Sequence, residues 1–296
     1  MKTTKKTSVQ IPRILTIAGS DSGGGAGLQA DLKTITALGG YGMTVVTAIT
    51  AQNTLGVSKI QDIDLDVVEA QIDAVISDIG VDVVKIGMLA SPEIVACVAK
   101  ALGRHGIKQI VLDPVLRATS GASLGGNDTA LAMRDMLFPM ASIITPNMQE
   151  ASILLGRDVN QPDEFEQAAQ ELMQMGPKAV LIKGGHLDTK HTQLMDFLLW
   201  SHRNSNDKEV VSSKSFHHYR VNTPNTHGTG CSLASAIATY LADGHDVSHA
   251  VAKAIAYVEA GLEAGVYLSI GAGSGPLWHM HAFCPTVLLD DQDSRP

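Results

Sequence analysis

Cysteine is scarce: Cys97, Cys231 and Cys284 stand far apart in 296 residues and are odd in number. That excludes a disulfide framework and a Cys-x-x-Cys metal pair, and it points to a reducing cytoplasm. Positive charge is in deficit, 22 Lys and Arg against 30 Asp and Glu, for a net charge of -8. Nonspecific nucleic-acid binding needs basic density and is disfavoured, although a local basic pocket for a small phosphate stays open. No apolar run reaches about 18 residues, so no conventional membrane span is expected. Residues Met1 to Gln10 carry Lys and Thr but no apolar h-region, which suits a disordered tail rather than a secretory signal. Neither a Pro/Gly/Ser linker nor a short repeat divides the chain. One domain over residues 11–284 is expected, with short tails at 1–10 and 285–296.

What is present is an alternation of short apolar runs and helical spacings. Arg13 to Ala18 has the look of a buried strand; a loop of glycines, Ser20 to Gly27, follows, then Leu28, Leu32, Ile35 and Leu38 at helical spacing. The loop matches neither G-x-G-x-x-G with a placed ribose acid nor G-x-x-x-x-G-K-[ST], so a dinucleotide fold and a Walker loop are both poorly supported. Further strands are expected at Gly42–Ile49, Asp82–Gly87, Lys108–Asp113, Ala141–Thr145 and Ala179–Lys183, with helices between them. Two extended segments around 191–200 and 209–216 suit a hairpin, and Arg117 to Asn127 reads as a mobile loop. The pattern predicts a doubly wound α/β domain with a mostly parallel central sheet. Ligands of such sheets gather outside the carboxyl ends of the strands, which draws Gly19, Gln52, Met88, Asp113, Asn147, Lys183 and Cys231 into one neighbourhood.

The stretch Asn225-Thr-His-Gly-Thr-Gly-Cys231 opens an apolar helical run. Unpaired amides at a helix start attract a phosphate, and a thiol in the first turn is expected to ionise more easily and to serve as base or nucleophile. An ordinary glycine turn leading to a buried cysteine is the alternative reading. Beside it stand one lysine (Lys183), two carboxylates (Asp113 and Glu150) and an amide (Asn147), much of the kit that metal-assisted phosphoryl transfer needs. A hard Mg²⁺ ion keeps its waters and takes few protein oxygens, so Asp113 and Glu150 could serve it; either acid could equally be a turn or cap residue. His186, His191, His202, His217, His218 and His227 form no His-x-x-x-His helix pattern and zinc is not expected. His217 and His218 read as inconsequential strand-end residues, and His279 and His281 as packing or surface ones.

Four stretches carry a family resemblance: Ala18-Gly-Ser-Asp-Ser-Gly-Gly-Gly-Ala-Gly-Leu-Gln-Ala-Asp-Leu-Lys33, Thr50-Ala-Gln-Asn-Thr54, Lys85-Ile-Gly-Met-Leu89 and Asn225-Thr-His-Gly-Thr-Gly-Cys231. With Thr145 to Glu150 and Lys183 to His186, they make the chain from Ile11 through Phe283 resemble the hydroxymethylpyrimidine/phosphomethylpyrimidine kinases of thiamin biosynthesis. These belong to the ribokinase-like superfamily. The resemblance implies a three-layer sandwich, ATP and Mg²⁺, and two successive phosphorylations of 4-amino-5-hydroxymethyl-2-methylpyrimidine, by a cytoplasmic homodimer carrying no fused thiamin-phosphate synthase. It implies that Gln52 and Asp31 make polar contacts to the pyrimidine while Gly19, Ala26 and Met88 shape its pocket. It further implies Cys231 as catalytic base, amides of Gly228, Thr229 and Gly230 around the transferred phosphoryl group, Lys183 and Asn147 toward the nucleotide, and Asp113 and Glu150 toward the metal. Ser22 stands where many family members have proline, a change expected to alter loop stiffness more than chemistry. A pyridoxal/pyridoxine kinase of the same superfamily is the nearest alternative, and a noncatalytic pyrimidine sensor a more distant one.

Overall fold

The computed structural model describes residues 10–116, 126–185, 193–204 and 206–284, so the two expected tails and most of the expected 117–127 loop lie outside the described residues. Strand β1 (Arg13–Asp21) is covered on both faces, with Ile14, Leu15 and Ile17 fully buried, which is why its apolar run is continuous rather than alternating. Helix α1 (Gly27–Ala37) returns the chain to β2 (Tyr41–Asn53), which lies parallel to β1. Here the structure corrects the sequence reading. Thr50 to Asn53 do not end a strand but continue β2 into a hairpin with β3 (Gly56–Asp62), an antiparallel edge. Asn53 makes the turn, its side-chain oxygen accepting the amides of Leu55 (2.9 Å) and Gly56 (3.3 Å). β3 is almost wholly exposed, so its sequence needs no apolar face to announce it.

Helix α2 (Leu65–Asp78) then crosses to β4 (Val83–Ile86) on the opposite side of β1. The sheet afterwards grows in one direction through α3 (Pro92–Arg104), β5 (Ile110–Leu112), α4 (Gly126–Met136), β6 (Ile143–Ile144), α5 (Met148–Leu155), α6 (Phe165–Met173) and β7 (Ala179–Ile182). β8 (Gln193–Arg203) and β9 (Glu209–Tyr219) complete it as an antiparallel hairpin, and α7 (Thr229–Ala242) and α8 (Val247–Ala264) follow. The spatial order is β3-β2-β1-β4-β5-β6-β7-β8-β9, parallel in the middle and antiparallel toward both edges. The chain reverses direction between β1 and β4, the switch point at which such sheets open a crevice.

Two cores complete a three-layer sandwich. Helices α2 to α6 pack on one face around Val68, Ile94, Met133, Ala151 and Phe165, and α1, α7 and α8 cover the other around Ile35, Ile237 and Val251. Between the sheet and the second layer lies a buried ion pair. Lys85 Nζ donates to both oxygens of Asp31, at 2.8 and 2.9 Å, and neither side chain has any exposed surface. Thr16 (2.5 Å) and Ser235 (2.8 Å) hydroxyls donate to the same carboxylate, so one clasp joins β1, α1, β4 and α7. Burial opposes the charge on Lys85, but Asp31, Cys231 and Asp113 together carry its pKa above the ordinary lysine value. Among the described residues no helix is long and apolar enough to cross a membrane.

Candidate active site

A cavity of about 490 Å³ opens outside the carboxyl ends of the parallel strands. Gly19, Ala26, Gln52, Met88, Asp113, Asn147, Glu150, Lys183, Gly228, Thr229, Gly230 and Cys231 all line it. Asp31 does not. Its carboxylate is buried and paired with Lys85, Thr16 and Ser235.

One end of the cavity is built where the two glycine-rich stretches meet. Gly228 caps α7 with a left-handed φ of 79°, and a Cβ there would lie 1.9 Å from the carbonyl oxygen of Gly25. Only glycine lets the two backbones approach this closely. The ladder of α7 begins when Ser232 N donates to Gly228 O at 2.9 Å, leaving the amides of Gly230 and Cys231 ahead of the first rung, while Thr229 N makes only a long 3.4 Å contact to Thr226 O. The turn is braced from behind by His279, whose Nε2 lies 3.0 Å from Ser232 Oγ and whose burial lowers its pKa to about 4, keeping it neutral. His281 tilts against Tyr257 at 5.0 Å, a packing role.

Cys231 faces this cavity together with Gln52. Its thiol is not easier to ionise, as its place in the helix's first turn led us to expect. Burial pushes it up to about 11; Lys85 works in the other direction, and Asp31 and Asp113 add to the rise. The charge that the desolvated sulfur would carry costs more here than Lys85 and the Gly27 amide return.

The middle of the cavity holds the charged groups. Lys183 Nζ donates to Asp113 Oδ1 at 2.8 Å, and Thr145 Oγ1 donates to the same oxygen at 2.8 Å. Burial alone would raise Asp113, yet Lys183 and Lys85 hold it below the usual carboxylate range. For Lys183 burial is likewise outweighed, by Asp113 and Glu150, so the ammonium stays charged. A Cβ on Gly230 would come within 3.3 Å of Lys183 Nζ, which sets the lysine against the α7 turn. Asn147 and Glu150 form a reciprocal capping box at the start of α5: Asn147 Oδ1 accepts from Glu150 N at 2.9 Å and Glu150 Oε2 accepts from Asn147 N at 2.8 Å. Burial raises Glu150 to about 7; Lys183 opposes that rise and Asp113 reinforces it. Among the described residues no three His, Cys, Asp or Glu side chains gather as a metal cage. Two neighbouring carboxylates, one ionised and one poised near neutrality, are nevertheless what a hard cation arriving with its own phosphate and water oxygens requires.

The far end was not visible in the sequence. Val221 from the segment after β9 and Ile255, Val258 and Leu262 from α8 make an apolar wall. Beside it His218, which we read as inconsequential, lies 3.3 Å from Asp196 and 3.6 Å from Glu259. Asp196 in turn accepts the Gly184 amide at 2.8 Å, tying β8 to the turn that follows Lys183. Single apolar residues on a core helix and a histidine near a strand end carry no local signal of a shared cavity. Asp21 and His227, also missed, did have one, since each lies inside a quoted glycine stretch. His227 Nε2 sits 3.0 Å from Asp21 Oδ2, and that carboxylate also accepts the amides of Gly23, Gly25 and Ala26.

Comparison with known proteins agrees with this geometry. The family described as phosphomethylpyrimidine kinase matches residues 21–278. A hydroxymethylpyrimidine/phosphomethylpyrimidine kinase of Rhizobium meliloti strain 1021 is 46% identical over 269 residues, covering 90% of this chain and 96% of that one. Among solved structures, the phosphomethylpyrimidine kinase of Clostridium difficile 630 superposes with a TM-score of 0.71 at 41% identity, over 84% of this chain and 98% of that one. An ADP complex of Bacillus subtilis pyridoxal kinase gives 0.80 at 34% identity, over 91% and 98%. A cavity at the switch point, an amide turn beside a cysteine, and a family match spanning nearly the whole fold lead to one conclusion: the chain belongs to the phosphomethylpyrimidine kinase family of ribokinase-like phosphotransferases.

Proposed function

We propose that this protein transfers the γ-phosphoryl group of ATP to the hydroxymethyl group of 4-amino-5-hydroxymethyl-2-methylpyrimidine, and then phosphorylates the monophosphate to the diphosphate, for thiamin biosynthesis. The observation that carries the reading is the common cavity: Gly228, Thr229, Gly230, Cys231, Lys183 and Gln52 all line it. A flat heteroaromatic alcohol fits the end lined by Gly19, Ala26, Gln52 and Met88, where apolar faces meet one directed amide. The apolar wall of Val221, Ile255, Val258 and Leu262 suits the nucleotide base, which leaves the phosphates between, beside Lys183 and Asn147.

In this reading the amides of Gly228, Thr229 and Gly230 hold the transferred group, as preorganised donors aimed where charge accumulates. Lys183 neutralises phosphate charge, and Asp113 keeps that lysine in place. Mg²⁺, when bound with ATP, would be held by Asp113 and Glu150, partly through water, and would supply charge neutralisation at the phosphate oxygens. Cys231 as thiolate accepts the substrate hydroxyl proton; the thiolate is a small minority near neutral pH because the thiol titrates at about 11.

The experiment is transfer of isotope from γ-labelled ATP to the pyrimidine alcohol and then to its monophosphate, run beside pyridoxine. Labelled monophosphate and diphosphate are expected. Faster labelling of pyridoxine with no pyrimidine diphosphate would instead assign a pyridoxine kinase, the second reading that the likeness to the pyridoxal kinase structure favours. A folded protein transferring no label to either would be a sensor. A cytoplasmic homodimer belongs to the same proposal. Light scattering tests its assembly.

A further inference from the structure

The hydrogen bonds around Gln52 involve two residues that the proposed chemistry does not use, Asp21 and His227. Asp21 Oδ2 accepts the amides of Gly25 at 3.1 Å and Ala26 at 2.8 Å, so it offers lone pairs only. His227 Nε2, 3.0 Å from that oxygen, must therefore carry a proton. The same nitrogen lies 3.3 Å from the Gln52 side-chain amide. A group beside a nitrogen that is already donating must itself offer lone pairs, so the carbonyl oxygen of Gln52, not its NH₂, belongs on the His227 side.

The other end of the amide requires the same orientation. Thr50 has one hydroxyl proton, and the carbonyl oxygen of Ser20, at 2.8 Å, takes it. Toward the Gln52 amide, 3.1 Å away, Thr50 Oγ1 is left as an acceptor, which suits NH₂. Gln52 is thus turned by 180° from the placement in which Nε2 faces His227. One N–H and one carbonyl lone pair remain free in a fixed left-to-right order at the cavity.

The environment holds His227 where this works. A Cβ on Gly25 would lie 2.4 Å from His227 Cδ2, so the ring lies flush against the glycine loop, and His227 N donates to Gly275 O at 2.9 Å. Asp21 stays ionised, since His227 and the amides of Ala26 and Gly23 outweigh the cost of its burial.

We propose that His227, held by Asp21, is a positioning residue that determines specificity: by fixing which way Gln52 presents its donor and acceptor, it selects a ring with an acceptor nitrogen beside an exocyclic amino group. A 4-oxo ring, with a ring N–H beside a carbonyl, shows the reversed order and meets the wrong end of Gln52. The inference rests on the proposed substrate reading and names what discriminates within it.

The test compares kcat/KM for the 4-amino pyrimidine alcohol and its 4-oxo counterpart in the wild type, His227→Phe and His227→Gln. The wild type is expected to favour the amino compound by about a hundredfold, the size of one mismatched buried pair. In His227→Phe only the Thr50 contact still orients Gln52, so the reversed orientation is no longer opposed at the other end, and the preference should fall at least about tenfold through KM for the amino compound, with KM for ATP unchanged. His227→Gln, whose own NH₂ can stand in for the imidazole N–H, should restore much of it. Side-chain ¹⁵N NMR of the unliganded wild type should show a proton on His227 Nε2. An active wild type whose preference is the same in folded His227→Phe, or an Nε2 without a proton, overturns this inference alone. A wild type that phosphorylates neither alcohol overturns the functional reading and this inference together.

Discussion

At the scale of single residues, the two groups that matter most have pKa values moved up from their ordinary ranges. Cys231 titrates at about 11 because burial and the Asp31 and Asp113 charges outweigh Lys85, so the proposed base is mostly protonated near neutrality. If the thiolate takes the substrate proton, kcat should rise about tenfold per pH unit from 7 toward 10. Cys231→Asp should flatten that profile, and Cys231→Ala should lower kcat by about 10²- to 10⁴-fold with near-normal pyrimidine binding. A pH–rate series on the three proteins checks this, and a flat wild-type profile would remove the sulfur from the reaction. Glu150 shows the opposite consequence for stability. Its folded pKa of about 7 lies above the ordinary 4.5, so the folded state holds the extra proton between those values. The cost of burying its charge is absent below pH 4.5, grows through the interval and is complete above about 7. Glu150→Gln should therefore raise the melting temperature more at pH 8 than at pH 5, and added Mg²⁺ with ATP should narrow the gap for the wild type.

At the scale of elements, the start of α7 decides the site. Gly228 combines a positive φ of 79° with backbone contact to Gly25, so Gly228→Ala meets both a left-handed penalty of about 1–2 kcal/mol and a steric collision. We expect a lower denaturation midpoint and loss of phosphoryl transfer even where the protein is folded. Gly185, with open space around its Cβ position, provides a control of similar size on the same cavity rim. The β2–β3 hairpin is the element that the sequence concealed. Its outer strand is polar and exposed, and period-2 alternation has no meaning where neither face is buried. Conversely, the first turn of α5 was partly legible: a cap role stood open for Glu150, and Asn147 and Glu150 prove to be a capping box that also borders the cavity.

At the scale of the whole molecule, the buried Lys85–Asp31 clasp joins the sheet to the layer that carries α7. Removing one partner leaves an uncompensated charge with no access to water, at a cost of about 3–5 kcal/mol. Lys85→Met should show that loss in chemical denaturation, and the double variant Lys85→Met, Asp31→Leu should recover part of it. Because Asp31 lies behind the cavity wall, the double variant should keep KM for the pyrimidine within a few-fold of the wild type; a large rise would return Asp31 to the ligand contacts. The clasp also bears on the mechanism, since Lys85 lies close enough to lower the Cys231 pKa and Asp31 to raise it. Removing both charges should therefore shift the pH–rate profile less than removing Lys85 alone.

By itself the sequence determined the alternation of strands and helices, the sheet's parallel middle, the glycine turn before Ser232 and nearly all of the polar residues that meet at the strand ends. These are local matters: apolar periodicity, glycine where backbones must touch, and the rule that ligands gather at carboxyl ends. Only the tertiary structure decided that Asp31 is spent on Lys85, that the Cys231 thiol is harder to ionise, and that His227 and Asp21 set the Gln52 amide. The reason is physical. A carboxylate's partner, a thiol's desolvation and a histidine's donor nitrogen all depend on groups tens to hundreds of residues away in the chain, brought within about 3 Å by packing that no window of sequence contains.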